Sequence, residues 1–269
     1  MLRRLFGMSR TLDERVAIVT GGSREIGAAM ADALAAEGAA VVITHHDAPE
    51  LAAEVVGRIT DEGGRALAVQ ADLSRVAENL RVVERTVGEY GRVDVFVANA
   101  GVTVRAPFLE TDEATWDTAL DLNLKGAYFG AQAAARQMAS QRGAAPDDAY
   151  GGRIVFSSSV NALVAIPENS AYAVSKAALA HLATVLAVEL GAHGITVNAL
   201  AIGATVNARN LEEDADYAAR WAEVTPVGRV GTPGDVASAL AYLVSPGASM
   251  ISGHTLTIDG GWSGLGKVP

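Results

Sequence analysis

Short apolar runs, rich in β-branched residues, alternate along this chain with longer Ala-rich stretches of helical spacing. The runs are VAIVT at 16–20, AVVIT at 40–44, ALAVQ at 66–70, VDVFVA at 93–98, RIVFS at 153–157, ITVNALA at 195–201 and a last TLTID, closed by Gly260 and Gly261. Continuous apolar strands separated by helices belong to a parallel sheet covered on both faces. The intervening segments predict helices over about 26–37, 49–62, 76–90, 112–140, 170–192 and 232–245. The expected fold is a doubly wound α/β domain, a Rossmann-like parallel sheet of about seven strands.

Two segments stand outside this rhythm. SQRGAAPDDAYGG at 140–152 reads as a surface loop before the fifth strand. The stretch from about 203 to 227 carries Glu212, Glu213, Asp214 and Asp216; the acids read as a solvated helix face and the whole segment as a candidate lid. Residues 1–12, with Arg3, Arg4 and Arg10, are expected to be a flexible N-terminal tail, leaving 13–269 as a single domain.

Composition narrows the function. Thirty-one acids against 21 Lys and Arg give a net charge of −10, and no basic stripe follows a phosphate backbone, so nucleic acid is not an expected partner. No segment reaches the roughly 18 uninterrupted apolar residues of a membrane helix. The absence of cysteine excludes disulfides and thiolate metal sites and fits a cytoplasmic protein. His45 and His46 are adjacent on a strand and point to opposite faces, while His181, His193 and His254 have no ligand spacing, so no metal site is expected.

The first strand runs into TGGSREIG. Gly21 and Gly27 at this strand-to-helix turn would let the backbone approach a pyrophosphate, which the helix N-terminus favours electrostatically. A protein selective for NAD usually ends its second strand on a carboxylate that holds the ribose 2′-hydroxyl. Here Thr44, His45 and His46 end the strand and Asp47 follows, while Arg24 in the turn suits a 2′-phosphate, which favours NADP(H) over NAD(H).

Tyr172 and Lys176, in AYAVSKAAL, are one helical turn apart and share a side. An ammonium there would draw the phenol pKa down towards neutrality. A lone pair of this kind is more often a packed ring beside a snorkelling lysine. Ser159, at the carboxyl end of the fifth strand and thirteen positions ahead of Tyr172, adds independent support for chemistry.

Thr20, Gly21, Gly27, Asp72, the NAG at 99–101, Asn123, Ser159, Tyr172, Lys176, Gly203 and the DGG at 259–261 occur together and in order. Over roughly residues 13–263 the chain resembles the single-domain short-chain dehydrogenases/reductases, among them 3-oxoacyl-carrier-protein and carbonyl reductases. The resemblance implies hydride transfer between a nicotinamide and a small carbonyl or alcohol substrate. Tyr172 would be the acid/base, Ser159 the holder of the carbonyl oxygen, Lys176 the partner of Tyr172 and of the nicotinamide ribose, and Asn123 the residue that positions a relay water. It implies cofactor contacts at Gly21, Ser23, Arg24, Ile26, Gly27, His45, His46, Asp72, Leu73, Asn99, Ala100, Gly101, Gly203 and Thr205, together with Tyr172 and Lys176. It also implies a homotetramer. The substrate pocket is expected along Thr103, Val104 and Arg105, Val160 to Asn169, and the lid with Trp221.

The chain departs from the family pattern at Glu25, where a third glycine is usual, at Ala98 for the first asparagine of NNAG, at Ile202 for a proline and at Asn207 for a threonine. A carboxylate at Glu25 would repel a pyrophosphate unless it turns away or meets a cation. A silent dinucleotide-binding sensor or scaffold, an NAD-dependent alcohol or sugar dehydrogenase, and an enzyme performing dehydration or epimerisation stay open as alternatives.

Overall fold

A computed structural model of the chain describes residues 10–145, 148, 150–265 and 267. Seven strands, β1 (Val16–Val19), β2 (Ala40–His45), β3 (Arg65–Gln70), β4 (Val95–Ala98), β5 (Gly152–Ser159), β6 (Ile195–Ile202) and β7 (Thr255–Ile258), form one sheet in the order β3-β2-β1-β4-β5-β6-β7. All six pairings are parallel, with Ile18 beside Val42 on one side and Phe96 on the other. The order reverses between β1 and β4, which opens a crevice above their carboxyl ends.

The strands are apolar on both sides because both sides are covered. Ile18, Val42, Phe96, Ile154 and Phe156 face a core closed by α3 (Val76–Tyr90), α5 (Ala127–Ala144) and α6 (Ser170–Leu190). Ala17, Val19, Val41 and Ile43 face the opposite core, closed by α1 (Glu25–Ala36), α2 (Pro49–Asp61) and α9 (Pro233–Val244). Helix α6 is long and apolar enough to cross a membrane by length and composition. In the fold it lies on β5 and β6, burying Ala171, Ser175, Lys176, Leu179 and Ala183.

Three sequence expectations change. The helix expected over 112–140 is α4 (Glu113–Leu120), one π-helical turn at Asp121–Gly126 and then α5, which continues to Ala144. The tail does not extend to residue 12. Leu12 is fully buried, its N–H donates to the Glu37 carbonyl at 2.9 Å, and Thr11 Oγ1 donates to the Glu37 carboxylate at 3.0 Å; residues 1–9 lie outside the described residues. Of the 140–152 segment, residues 146, 147 and 149 lie outside the described residues, 140–144 belong to α5, and Asp148 and Tyr150 reach into the protein. Arg15 Nη2 donates to Asp148 at 2.9 Å, and the buried Tyr150 hydroxyl donates to the Val244 carbonyl at 2.6 Å.

Candidate active site

Thr20, at the end of β1, joins the phosphate turn to β4. Its Oγ1 accepts the N–H groups of Asn99 and Ala100 at 2.8 and 2.9 Å and donates to the Val97 carbonyl at 3.2 Å. Asn99 returns a hydrogen bond from Nδ2 to the Thr20 carbonyl at 3.1 Å and accepts one from Ser157 Oγ at 3.1 Å. Gly21 has a φ of 63° and lies so close to β4 that an added Cβ would stand 3.1 Å from Ala100 Cα. Both conditions favour glycine.

Glu25 also has a left-handed backbone, with φ at 49°, which is why glycine is the residue expected there. Its carboxylate turns away from the turn. Oε1 accepts the Ala208 N–H at 2.7 Å, at the start of α7 (Ala208–Glu213), the first of two lid helices. The side chain thereby ties the phosphate turn to the lid across the mouth of the crevice.

The crevice is a cavity of about 2140 Å³ that runs from the end of β2 to the lid. Every expected cofactor contact lines it: Gly21, Ser23, Arg24, Ile26, Gly27, His45, His46, Asp72, Leu73, Asn99, Ala100, Gly101, Tyr172, Lys176, Gly203 and Thr205. At its far end His45 is buried with Nδ1 lacking a hydrogen-bond partner among the described residues, while its neighbour His46 is exposed. The glycine turn at Gly21, which lets the backbone line the groove, and the helix start beside it fit the pyrophosphate of a dinucleotide. Arg24 stands at the rim, 3.9 Å from Asp47, with both side chains exposed. Asp72 caps its own turn, accepting from Ser74 N and Oγ at 3.1 and 2.6 Å, and these bonds hold its carboxyl below the usual carboxylate range.

At the inner end the Ser159 and Thr103 hydroxyls bear on the Tyr172 phenol. Ser159 Oγ also accepts the Asn161 N–H at 3.2 Å. Lys176 is buried, its Nζ stands 5.6 Å from the centre of the Tyr172 ring, and it donates to the Ser157 carbonyl at 2.7 Å. The expected depression of the tyrosine pKa is not what this geometry gives. Burial pushes the phenol above its ordinary value and outweighs the opposing hydrogen bonds from Ser159 and Thr103. Burial likewise pushes the Lys176 ammonium down to about 8.

Asn123 is placed in the π-helical turn, completely buried behind Gly101 and Lys176, and does not line the cavity. Its amide is spent within the protein: Oδ1 accepts the Val102 N–H at 2.8 Å, and Nδ2 donates to the Val102 carbonyl at 2.9 Å and to Ser175 Oγ at 3.2 Å. The residue fixes the strand-end loop rather than reaching the cavity itself. A π turn of this kind commonly marks a functional site.

The lid consists of α7 and α8 (Tyr217–Val224). Trp221 packs edge-on against the buried Trp262, ring centres 5.5 Å apart, which anchors α8 to the C-terminal turn. Asn207 caps α7, accepting the Asn210 N–H at 2.7 Å. Thr103, Arg105, Val160, Asn161, Ile166, Pro167, Glu168, Asn169 and Trp221 line the cavity as expected, whereas Val104 and residues 162–165 do not. Sequence reasoning missed Ser157, which acts through its backbone carbonyl and leaves no side-chain signal, and Tyr217 and Arg209, which α7 and α8 bring to the cavity wall.

A family model described as enoyl-(acyl carrier protein) reductase matches residues 21–263. The chain is 33% identical over 253 residues to 2-dehydro-3-deoxy-D-gluconate 5-dehydrogenase of Dickeya dadantii, covering 93% of this chain and 96% of that one. It is 38% identical over 259 residues to cis-4-hydroxycyclohexanecarboxylate dehydrogenase of Sinomonas cyclohexanicum, covering 96% and 100%. Among solved structures, a short-chain dehydrogenase from Burkholderia cenocepacia in complex with NADP superposes with a TM-score of 0.84 at 36% identity, over 93% of this chain and 98% of that one. With the fold, the cavity and these relatives in agreement, the chain belongs to the short-chain dehydrogenases/reductases, NAD(P)-dependent oxidoreductases that act on alcohols and ketones.

Proposed function

We propose that the protein is an NADP(H)-dependent carbonyl reductase or alcohol dehydrogenase in which Tyr172 is the general acid/base. The observation that carries this reading is the cluster of three hydroxyls, Tyr172, Ser159 and Thr103, at the inner end of the cavity beside the buried Lys176. The nicotinamide, when bound, supplies or accepts the hydride.

The chain's own groups do the rest. The backbone at Gly21, Ser23, Ile26 and Gly27 would hold the pyrophosphate at the start of α1. Arg24 would meet the 2′-phosphate, His45, His46, Asp72 and Leu73 would flank the adenosine end, and Asn99, Ala100 and Gly101 would lie under the sugar. Lys176 would hold the nicotinamide ribose, with Gly203 and Thr205 beside the ring. Ser159 Oγ would donate to the substrate oxygen while the proton leaves Tyr172 Oη for that same oxygen. The phenol is protonated at pH 7, as a donor to a carbonyl oxygen must be. Asn123, by clamping Val102, positions the loop that carries Thr103.

NADP(H) is favoured by the Arg24 guanidinium at the β2 end of the cavity, and the Burkholderia structure, whose chain is similar throughout, holds NADP. A homotetramer is the proposed assembly, supported by an apolar groove of about 510 Å³ between α5 and α6, lined by Leu124, Tyr128, Phe129, Leu182 and Val185. The cysteine-free composition supports a cytoplasmic location.

The test is a fluorescence titration with NADPH and NADH followed by a panel of ketones, linear and cyclic, read as absorbance loss. Tighter NADPH binding with turnover is expected. Tyr172→Phe should lose at least about 100-fold in kcat while still binding NADPH. Substantial turnover in that variant would remove Tyr172 from its role.

A further inference from the structure

Two arginines, Arg105 on the loop after β4 and Arg209 on α7, line the cavity that holds Tyr172. Both are exposed, and Arg105 lies two residues beyond Thr103. Other arginines of this wall already face carboxylates: Arg24 meets Asp47 at 3.9 Å, Arg58 meets Asp32 at 2.9 Å and Arg220 meets Asp214 at 2.9 Å. Arg105 engages no carboxylate among the described residues. Arg209 stands 3.6 Å from Glu213 one turn along α7, with both side chains more than half exposed, a surface pair that holds a guanidinium only weakly.

Charges of both signs line the cavity. Asp117, Asp121, Glu168, Glu212, Glu213 and Asp214 stand on its wall, and among the described residues only Glu213 comes within ion-pairing distance of either arginine, while Asp121 meets Lys125 and Asp214 meets Arg220. Arg209 bears on both phenols, and Arg105 on Tyr217. In a chain of net charge −10, two cavity arginines so loosely committed, one of them bearing on Tyr172, are free to receive an anion supplied from outside. Guanidinium forks match carboxylates with paired hydrogen bonds.

We infer that the substrate is a keto acid or hydroxy acid, its carboxylate held between Arg105 and Arg209 while its carbonyl or hydroxyl meets Tyr172 and Ser159. The inference rests on the oxidoreductase reading and narrows it to a substrate class. The two arginines are specificity residues: they choose which carbonyl compound arrives, and hydride transfer itself uses the hydroxyl cluster.

The test compares keto acids with their uncharged esters on the purified full-length chain: 3-oxobutanoate, 4-oxopentanoate and 4-oxocyclohexanecarboxylate, each against its methyl ester, with NADPH. For at least one pair the acid should be preferred by about tenfold or more in kcat/KM, a typical yield of a charge-assisted contact. That preference should fall towards one in the Arg105→Gln, Arg209→Gln double variant, chiefly through KM for the acid, should be partly kept by the Arg→Lys pair, and should shrink with added salt. Esters turned over as well as acids by the parent protein would overturn the inference while leaving the reductase intact. A double variant that keeps its full preference for the acid would do the same. No turnover of any carbonyl despite NADPH binding would overturn the reductase reading itself, and this inference with it.

Discussion

Glu25 Oε1 accepts the Ala208 N–H at 2.7 Å across 183 positions of sequence, so that the phosphate turn and the substrate lid are held together by one carboxylate. The same residue carries a left-handed backbone, a conformation that costs a non-glycine residue roughly 1–2 kcal/mol. Glu25→Gly would relieve that cost, remove a negative charge from the cavity wall and free the lid. The expected result is several-fold tighter NADPH binding by fluorescence together with a raised KM for the carbonyl substrate. Unchanged values for both would show that the contact has no part in binding.

Lys176 gives a pH test. The folded protein holds its ammonium at about 8, against 10.5 for an unperturbed lysine, so between these values the unfolded chain binds the extra proton. Stability linked to this residue therefore rises as pH climbs from about 8 to 10.5, and the burial cost is fully present below about 8. A pKa difference of this size is worth on the order of 3 kcal/mol. The Tm advantage of Lys176→Met over the parent should be greatest near pH 7 and shrink towards pH 10.5, measured by calorimetry. A difference independent of pH would contradict the assignment.

Arg24→Ala should weaken NADPH binding by about tenfold, the scale of a charge-assisted hydrogen bond to phosphate, and change NADH binding far less. Titrations of both dinucleotides with parent and variant measure this. An equal loss for the two would place Arg24 away from the 2′-phosphate.

Leu12→Ala tests the revised start of the domain. Leu12 is fully buried beside α1, and truncating such a side chain costs about 2–5 kcal/mol. Thermal unfolding should show a clear drop in Tm, whereas a residue in a loose tail would give none.

The strands were legible because β-branched runs buried on both faces have few other places to go, and the phosphate turn because its glycines sit between a strand and a helix. The π turn was not: DLNLKG has ordinary helical composition, and the wider hydrogen-bond step that places Asn123 leaves no mark on periodicity. Leu12 was hidden among Arg10, Asp13 and Glu14, since its burial depends on the far end of α1, more than twenty positions away. The spacing of Tyr172 and Lys176 correctly put both on one side of α6. It could not show that the ammonium is bound to the Ser157 carbonyl, nor that burial would prevail over charge at the phenol.

The strand order also dictates how the molecule is assembled as it is made. β1 takes β2 and then β3 on one side; the chain next returns to its other side with β4, and each later strand pairs with its predecessor out to β7. Every new strand must wait for an intervening helix, so the contacts are distant in sequence and form slowly. Until Thr255–Ile258 has emerged, β6 presents an open row of backbone donors and acceptors. A chain stalled before that point exposes the long edge of the eight-residue β6, which the four-residue β7 replaces with a much shorter one.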